Sequence, residues 1–194
     1  MELPKRKLLR LKDYDYNQNG AYFITICAKD KRNLFGKIKP PNTVAGIPQV
    51  VGAALAPPVA ATDLTEYGKN VQKHIEALHK HYNYISVDKY VIMPNHVHMI
   101  ISINTGVAEM RHADEHATPA KSGHGTGGAS AAPTTLGNLV RGFKAGVSRE
   151  CGFLLWQRSY HDHIIRNQKD YLRIYQYIET NPAKWEDDRY FHKD

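Results

Sequence analysis

Two adjoining stretches, Tyr84-Ile-Ser-Val-Asp-Lys-Tyr-Val-Ile-Met93 and His96-Val-His-Met-Ile-Ile-Ser-Ile103, joined by Pro94-Asn95, decide how this chain reads. The first is rich in β-branched and aromatic residues, Pro-Asn is turn chemistry, and the second is short and apolar in the manner of a central strand. Side chains alternate faces along a strand. His96 and His98 therefore share one face, roughly 7 Å apart along the strand, and Val97 points to the other. Two imidazoles so placed can share one cation, and imidazoles in an apolar strand need a hydrogen bond or a ligand to be buried. A lone histidine would more often be a satisfied core or surface residue; the pair raises a metal site to equal standing.

Working outward, Tyr22-Phe-Ile-Thr-Ile-Cys27 reads as a strand, and Leu34-Phe-Gly-Lys-Ile38 as its hairpin partner across a charged turn. Leu64, Tyr67, Val71, Ile75 and Leu78 recur at spacings of three and four, which predicts an amphipathic helix over 63–80. Leu136, Leu139, Val140, Phe143 and Val147 form a second helical stripe. Arg141, Lys144 and Arg149 lie mostly off it, a basic face suited to a phosphate track. Tyr160 to Arg166 is extended, and Lys169 to Thr180 is a helix with Tyr171, Ile174, Tyr175 and Ile178 inward, ended by Pro182. Hairpin-paired strands with helices following make the class α+β, with a mainly antiparallel central sheet and helices packed on it. Residues 40–62 and 104–135 carry Pro, Gly, Ala, Ser and Thr without a period. They read as two long, flexible loop insertions into a single domain of residues 1–194, the first with room for a short packed element at Val50, Val51, Leu55 and Val59.

Composition narrows the function classes. Lys and Arg number 26 against 19 Asp and Glu, a formal charge of +7 that favours polyanionic partners, nucleic acid slightly ahead of none. Cys27 and Cys151 are too few for a disulfide framework or a four-cysteine zinc site, so a reducing cytoplasm is expected. No apolar run approaches the ~20 residues of a membrane span, and Met1 to Lys12 holds five cations without a signal peptide's apolar stretch. That arm, with Lys5, Arg6, Lys7, Arg10 and Lys12, either grips nucleic acid or is a solvated tail.

Two other His-x-His pairs test how specific the first is. His79 and His81 fall in or just past a helix, where a two-residue step sends the rings apart, so they are expected to be solvated. His161 and His163 can face one way, but Asp162 would then be forced toward the opposite face; they stand as an alternative ligand set or a DNA contact. In the last helix Tyr177 lies away from the centre of the apolar stripe, and Asn181 is four residues on. If the helix persists, phenol and amide project from one face, so that Asn181 can complete a metal site while Tyr177 addresses the same phosphate. The plainer alternative is a partly exposed surface tyrosine and an asparagine that caps the helix before Pro182.

Met93-Pro-Asn-His-Val-His-Met-Ile-Ile101 resembles the HUH motif of single-tyrosine transposases, with Val97 as the hydrophobic middle residue. Leu155-Trp-Gln-Arg-Ser-Tyr-His-Asp-His-Ile-Ile-Arg166 and Tyr175-Gln-Tyr-Ile-Glu-Thr-Asn-Pro-Ala-Lys-Trp185 resemble the closing segments of the REP-associated tyrosine transposases, the domesticated branch of that superfamily. The likeness extends to Tyr22–Ile38 and Gly142-Phe-Lys-Ala145 and covers most of the chain outside the insertions. It implies a ferredoxin-like HUH nuclease fold and a metal-dependent endonuclease that cleaves and rejoins single-stranded hairpin DNA through a 5′-phosphotyrosine. His96, His98 and Asn181 match the metal-binding positions, for Mg²⁺ or Mn²⁺, and Tyr177 the nucleophile. Lys5, Arg6, Lys7, Arg141, Lys144 and Arg166 are the expected DNA contacts. Insertion-sequence relatives work as dimers and the domesticated branch as a monomer, so either a monomer or a homodimer is expected. The rival readings are a non-catalytic hairpin-binding protein, a phosphodiesterase that uses water, and a histidine-ligated zinc protein unrelated to DNA.

Overall fold

The computed structural model describes residues 14–39, 50–51, 54–55, 60–104 and 135–192. In chain order these form β1 (Gly20–Cys27), β2 (Gly36–Lys39), β3 (Val50–Val51), β4 (Ala54–Leu55), β5 (Ala61–Leu64), α1 (Glu66–Glu76) and α2 (Leu78–His81). Then come β6 (Ile85–Ile92), β7 (His96–Ile103), α3 (Thr135–Cys151), β8 (His161–Ile165) and α4 (Gln168–Thr180), which runs into a 3₁₀ turn over Asn181–Asp187. The class is α+β, as expected: a four-stranded antiparallel sheet in the order β6-β7-β1-β8 with helices packed on it.

The two faces of the sheet bury different things. Ile24, Ile26, Val97, Met99 and Ile101 point to the larger core, where the apolar stripes of α1 (Val71, Ile75) and α3 (Leu139, Val140, Phe143, Val147) cover them. Ile100 and Phe23 face the other way, against Ile174 and Ile178 of α4. His96 and His98 occupy that second face by strand parity. A bulge between Val87 and Lys89 shifts the alternation of β6, which sends Val87 and Tyr90 to the large core and Val91 to the α4 face.

One helix on each face of the sheet, α1 and α4, is capped by a side chain. Thr65 accepts from Gly68 N at the start of α1, and Asn167 accepts from Asp170 N at the start of α4. At Gly68 a Cβ would lie 2.0 Å from the Phe35 carbonyl oxygen, so only glycine lets the first turn of α1 sit on that strand entry.

Three expectations need correction. The segment around Ile38 pairs with β5, not with β1: Gly36 aligns with Leu64 and Lys39 with Ala61, while both edges of β1 are taken by β7 and β8. The helix expected over 63–80 begins only after Thr65, because Asp63 and Leu64 are strand, and it breaks at Ala77 into α1 and α2. The first insertion is correspondingly shorter than 40–62, its last two residues, Ala61 and Thr62, being part of β5. A small antiparallel pair, Val50–Val51 with Ala54–Leu55, stands where a short element had room. The remainder of that insertion and residues 105–134 of the second lie outside the described residues.

Candidate metal and tyrosine site

β7 delivers His96 and His98 to one place, both fully buried. Asn95 Nδ2 donates to the carbonyls of Lys31 and Tyr190, so its Oδ1 is the atom that faces His96 Nδ1, at 2.9 Å. That assigns the His96 proton to Nδ1, where it donates to Asn95, and leaves Nε2 with a lone pair. His98 Nδ1 lies 2.8 Å from the Thr25 hydroxyl, which also hydrogen-bonds with the Tyr190 phenol and can receive an Nδ1–H. The two Nε2 atoms then face each other at 2.9 Å. Burial, above all, holds both imidazoles below their ordinary pKa, and each is disfavoured further by the nearby Arg189 charge.

Tyr177 reaches the same point from α4. Its phenol oxygen is 3.2 Å from His98 Nε2 and donates to Asp188 Oδ2, also at 3.2 Å. The ring stands edge-on to Phe23 and close to His98, with 38% of the residue exposed, so the hydroxyl is held in place yet reachable. Burial and then the Asp188 carboxylate push its pKa up to about 12.

Asn181 is 2% exposed. Its Nδ2 donates to Asp188 Oδ2 at 2.8 Å, and its Oδ1 is buried with no hydrogen-bond partner among the described residues. An unpartnered buried carbonyl costs roughly 1–3 kcal/mol, so this oxygen has an unmet need. Asp188 completes the group: its carboxylate and the two imidazoles place ligand atoms within 4.8 Å of one another. Two inward lone pairs, a carboxylate and an unsatisfied amide oxygen suit a divalent cation of the kind that accepts mixed nitrogen and oxygen donors.

The structure brings together His96, His98, Tyr177 and Asn181, which the sequence singles out, and adds Asp188, Asn95, Thr25 and Tyr190, which it does not. Asn95 adjoins the histidines and could have been suspected as their orienting partner. Asp188 depends on the chain turning back after Pro182, and Thr25 on the pairing of β1 with β7, where Thr25 sits opposite His98. The other pairs are placed as well. His79 and His81 are exposed, as expected. His163 bonds Asp170, and the His161 ring lies 6.4 Å from that of Tyr190, at the outer edge of the site.

Of the expected DNA contacts, the described ones, Arg141, Lys144 and Arg166, are not brought together around this site. Lys5, Arg6 and Lys7 lie outside the described residues. Arg141 and Lys144 belong to α3, on the opposite face of the sheet. Lys144 is turned inward, donating to the carbonyls of Gln157, Arg158 and Ser159, with burial holding its pKa down; its donors secure the segment before β8. Arg141 bonds Asn138, and Arg166 is exposed at the end of β8. Around Tyr177, an open cleft of about 550 Å³ is lined instead by Arg173, Lys184 and Arg189, with Asp187, Asp188 and Gln176.

In fold the chain is similar to the solved REP-associated tyrosine transposase bound to a REP hairpin, at a TM-score of 0.52 with 18% identity, over 90% of this chain and 74% of that one. A solved structure from Deinococcus radiodurans, 14% identical over 88% of this chain and 95% of that one, gives a TM-score of 0.40. No family model matches the chain. By sequence the chain belongs to the family of an uncharacterized Haemophilus influenzae protein, 36% identical over 198 residues, which spans 96% of this chain and 93% of that protein.

Proposed function

We propose that the chain is a metal-dependent single-tyrosine transposase or endonuclease that cleaves and rejoins single-stranded hairpin DNA. The observation that carries this is the Tyr177 phenol at 3.2 Å from His98 Nε2, inside a group whose buried lone pairs and orphaned amide oxygen have no other assigned task. A structural role for the histidines alone would not place a half-exposed tyrosine hydroxyl against them. The fold shared with a transposase bound to a REP hairpin supports the choice of DNA, as does the charge of +7.

His96, His98 and Asn181 would hold the cation, with Asp188 as a fourth donor or a hydrogen-bond acceptor beside it. Mg²⁺ or Mn²⁺ bound there supplies positive charge to a phosphate oxygen and to the charge that develops as the phosphoester is exchanged. Tyr177 Oη would attack the phosphorus, the bond to the 3′ oxygen would break, and that oxygen would leave as a 3′-hydroxyl, taking its proton from water. The 5′-phosphate remains on Tyr177, and a later 3′-hydroxyl can reverse the exchange and join strands. Asp188 already accepts the Tyr177 hydrogen bond, so it is placed to receive the phenolic proton. Phe23 and His98 flank the ring and limit its swing. The reaction needs an accessible backbone, which single strands and hairpins present and an undistorted duplex does not.

The test is incubation of the protein and its Tyr177→Phe variant with labelled single-stranded hairpin DNA and Mn²⁺, read on a denaturing gel. An adduct formed by the first and absent from the second is expected. Cleavage without an adduct, retained in the variant, would instead make the protein a water-using phosphodiesterase, and binding without cleavage a non-catalytic hairpin binder.

A further inference from the structure

A second groove, of about 620 Å³, adjoins the tyrosine cleft, and the two share Lys184 and Asp187 in their walls. It runs between β2 and the turn that follows α4, past Lys37, Pro182, Trp185 and Phe191. Trp185 and Phe191 meet edge to face at 5.3 Å, and the Trp185 ring lies 5.9 Å from that of His96. Neither aromatic belongs to the two buried cores of the described residues, and Phe191 is 37% exposed, so core packing does not account for them. Lys184 is exposed on the divide between cleft and groove, with no carboxylate within ion-pair distance among the described residues.

We infer that this groove is a base-binding subsite: it takes the nucleobase next to the phosphate addressed by Tyr177, stacks it on Trp185 and Phe191, and holds the intervening backbone with Lys184. The inference rests on the proposed tyrosine nuclease and adds where the strand goes. Single strands bind through aromatic platforms joined to cationic tracks, because every base has a π-face and every linkage a negative charge. Glu186 and Asp187 also line the groove. Their charge offsets that of Lys37 and Lys184, so the groove has no net pull on a phosphate and suits the neutral base, whose exocyclic N–H groups can donate to a carboxylate. The phosphate is thereby assigned to the Lys184 side, continuous with the cleft that holds Arg173, Arg189 and Tyr177. A duplex end would have to unstack to enter, which ties the groove to single-stranded arms.

The test uses the full chain and a hairpin oligonucleotide with mixed-sequence single-stranded arms, carrying 2-aminopurine immediately 5′ or 3′ of the observed cleavage position, or along the arms if no cleavage is seen. In the wild type the fluorophore is quenched at one of these positions. Trp185→Leu and Phe191→Leu abolish the quenching and weaken binding roughly 5- to 150-fold with an unchanged salt slope, while Trp185→Phe retains it. Lys184→Gln keeps the quenching and lowers the salt slope by about one. Thermal denaturation of each variant confirms that it is folded. Adduct formation on Tyr177 with no quenching at any position would overturn the subsite and leave the nuclease standing. Quenching lost in Trp185→Leu but no adduct with any hairpin would uphold the subsite and remove the nuclease.

Discussion

The two faces of strand β7 are made from alternate residues of one short segment, yet they do opposite work. Val97, Met99 and Ile101 enter a continuous, mainly apolar core under α1 and α3. His96 and His98 enter a smaller space beside α4, where they meet each other, Tyr177, and an Asn181 whose buried Oδ1 has no hydrogen-bond partner among the described residues. The large core provides the stability that lets the other face keep two desolvated imidazoles and an unsatisfied Asn181 oxygen, groups that would favour unfolding on their own. The site is thus built on a strand anchored from behind, and neighbours in sequence should fail in different ways.

The largest separation is expected between His98→Ala and Met99→Ala. His98→Ala should abolish Mn²⁺ binding measured by electron paramagnetic resonance and with it the DNA adduct, while the protein still melts cooperatively. Met99→Ala, at a fully buried position, should lower stability by about 2–5 kcal/mol in denaturant titration yet bind Mn²⁺ normally where it is folded. Loss of metal binding in folded Met99→Ala would show that the two faces are not separable.

A smaller effect is expected at alkaline pH, where the two tyrosines whose pKa is raised furthest lie on opposite faces. Tyr22, on the large-core face, is raised chiefly by burial, and Tyr177, on the other, by burial and then Asp188. The unfolded chain releases these protons near pH 10 and the folded one later, so stability is intact below about pH 10 and falls as the pH rises through the folded values. Tyr177→Phe should flatten that decline between pH 10 and about 12, less than a full group's worth because the ring is partly solvated. An unchanged alkaline curve would mean that Tyr177 is not held as its hydrogen bonds indicate.

What was legible beforehand follows the range of the interactions. β1, β6, β7, β8 and α4 were readable because period and turn chemistry are local, and His96 with His98 because strand parity needs no partner. β2 was misassigned, since its partner β5 lies beyond 21 intervening residues, Pro40 to Ala60, and nothing in Gly36–Lys39 encodes that pairing. The helix over 63–80 was overextended because Leu64 fits the helical stripe equally well from a strand. Tyr177 and Asn181 were visible at four-residue spacing, but Asp188 sits beyond Pro182 on a turn whose path no period announces. Lys144 was read as a surface charge because its position off the apolar stripe says nothing of the carbonyls of Gln157 to Ser159 that it meets in space.

The smallest expected effect tests what positions α4, and so Tyr177, over the sheet. Ile174 and Ile178 pack α4 on Ile100, whereas Lys89 ties its far end by a 3.1 Å ion pair to Glu179 and lies 4.4 Å from the Tyr175 ring centroid. The Glu179 side chain is 51% exposed, so the ion pair is worth about 0–1 kcal/mol and the ring contact about 0.5–1. Lys89→Ala should therefore cost roughly 1 kcal/mol of stability, and adduct formation should slow no more than about fivefold, because the apolar contacts of α4 persist. A fall of a hundredfold with little loss of stability would instead make the strand edge, through Lys89, the element that aims the tyrosine, and would move the origin of the site's precision from the core to its rim.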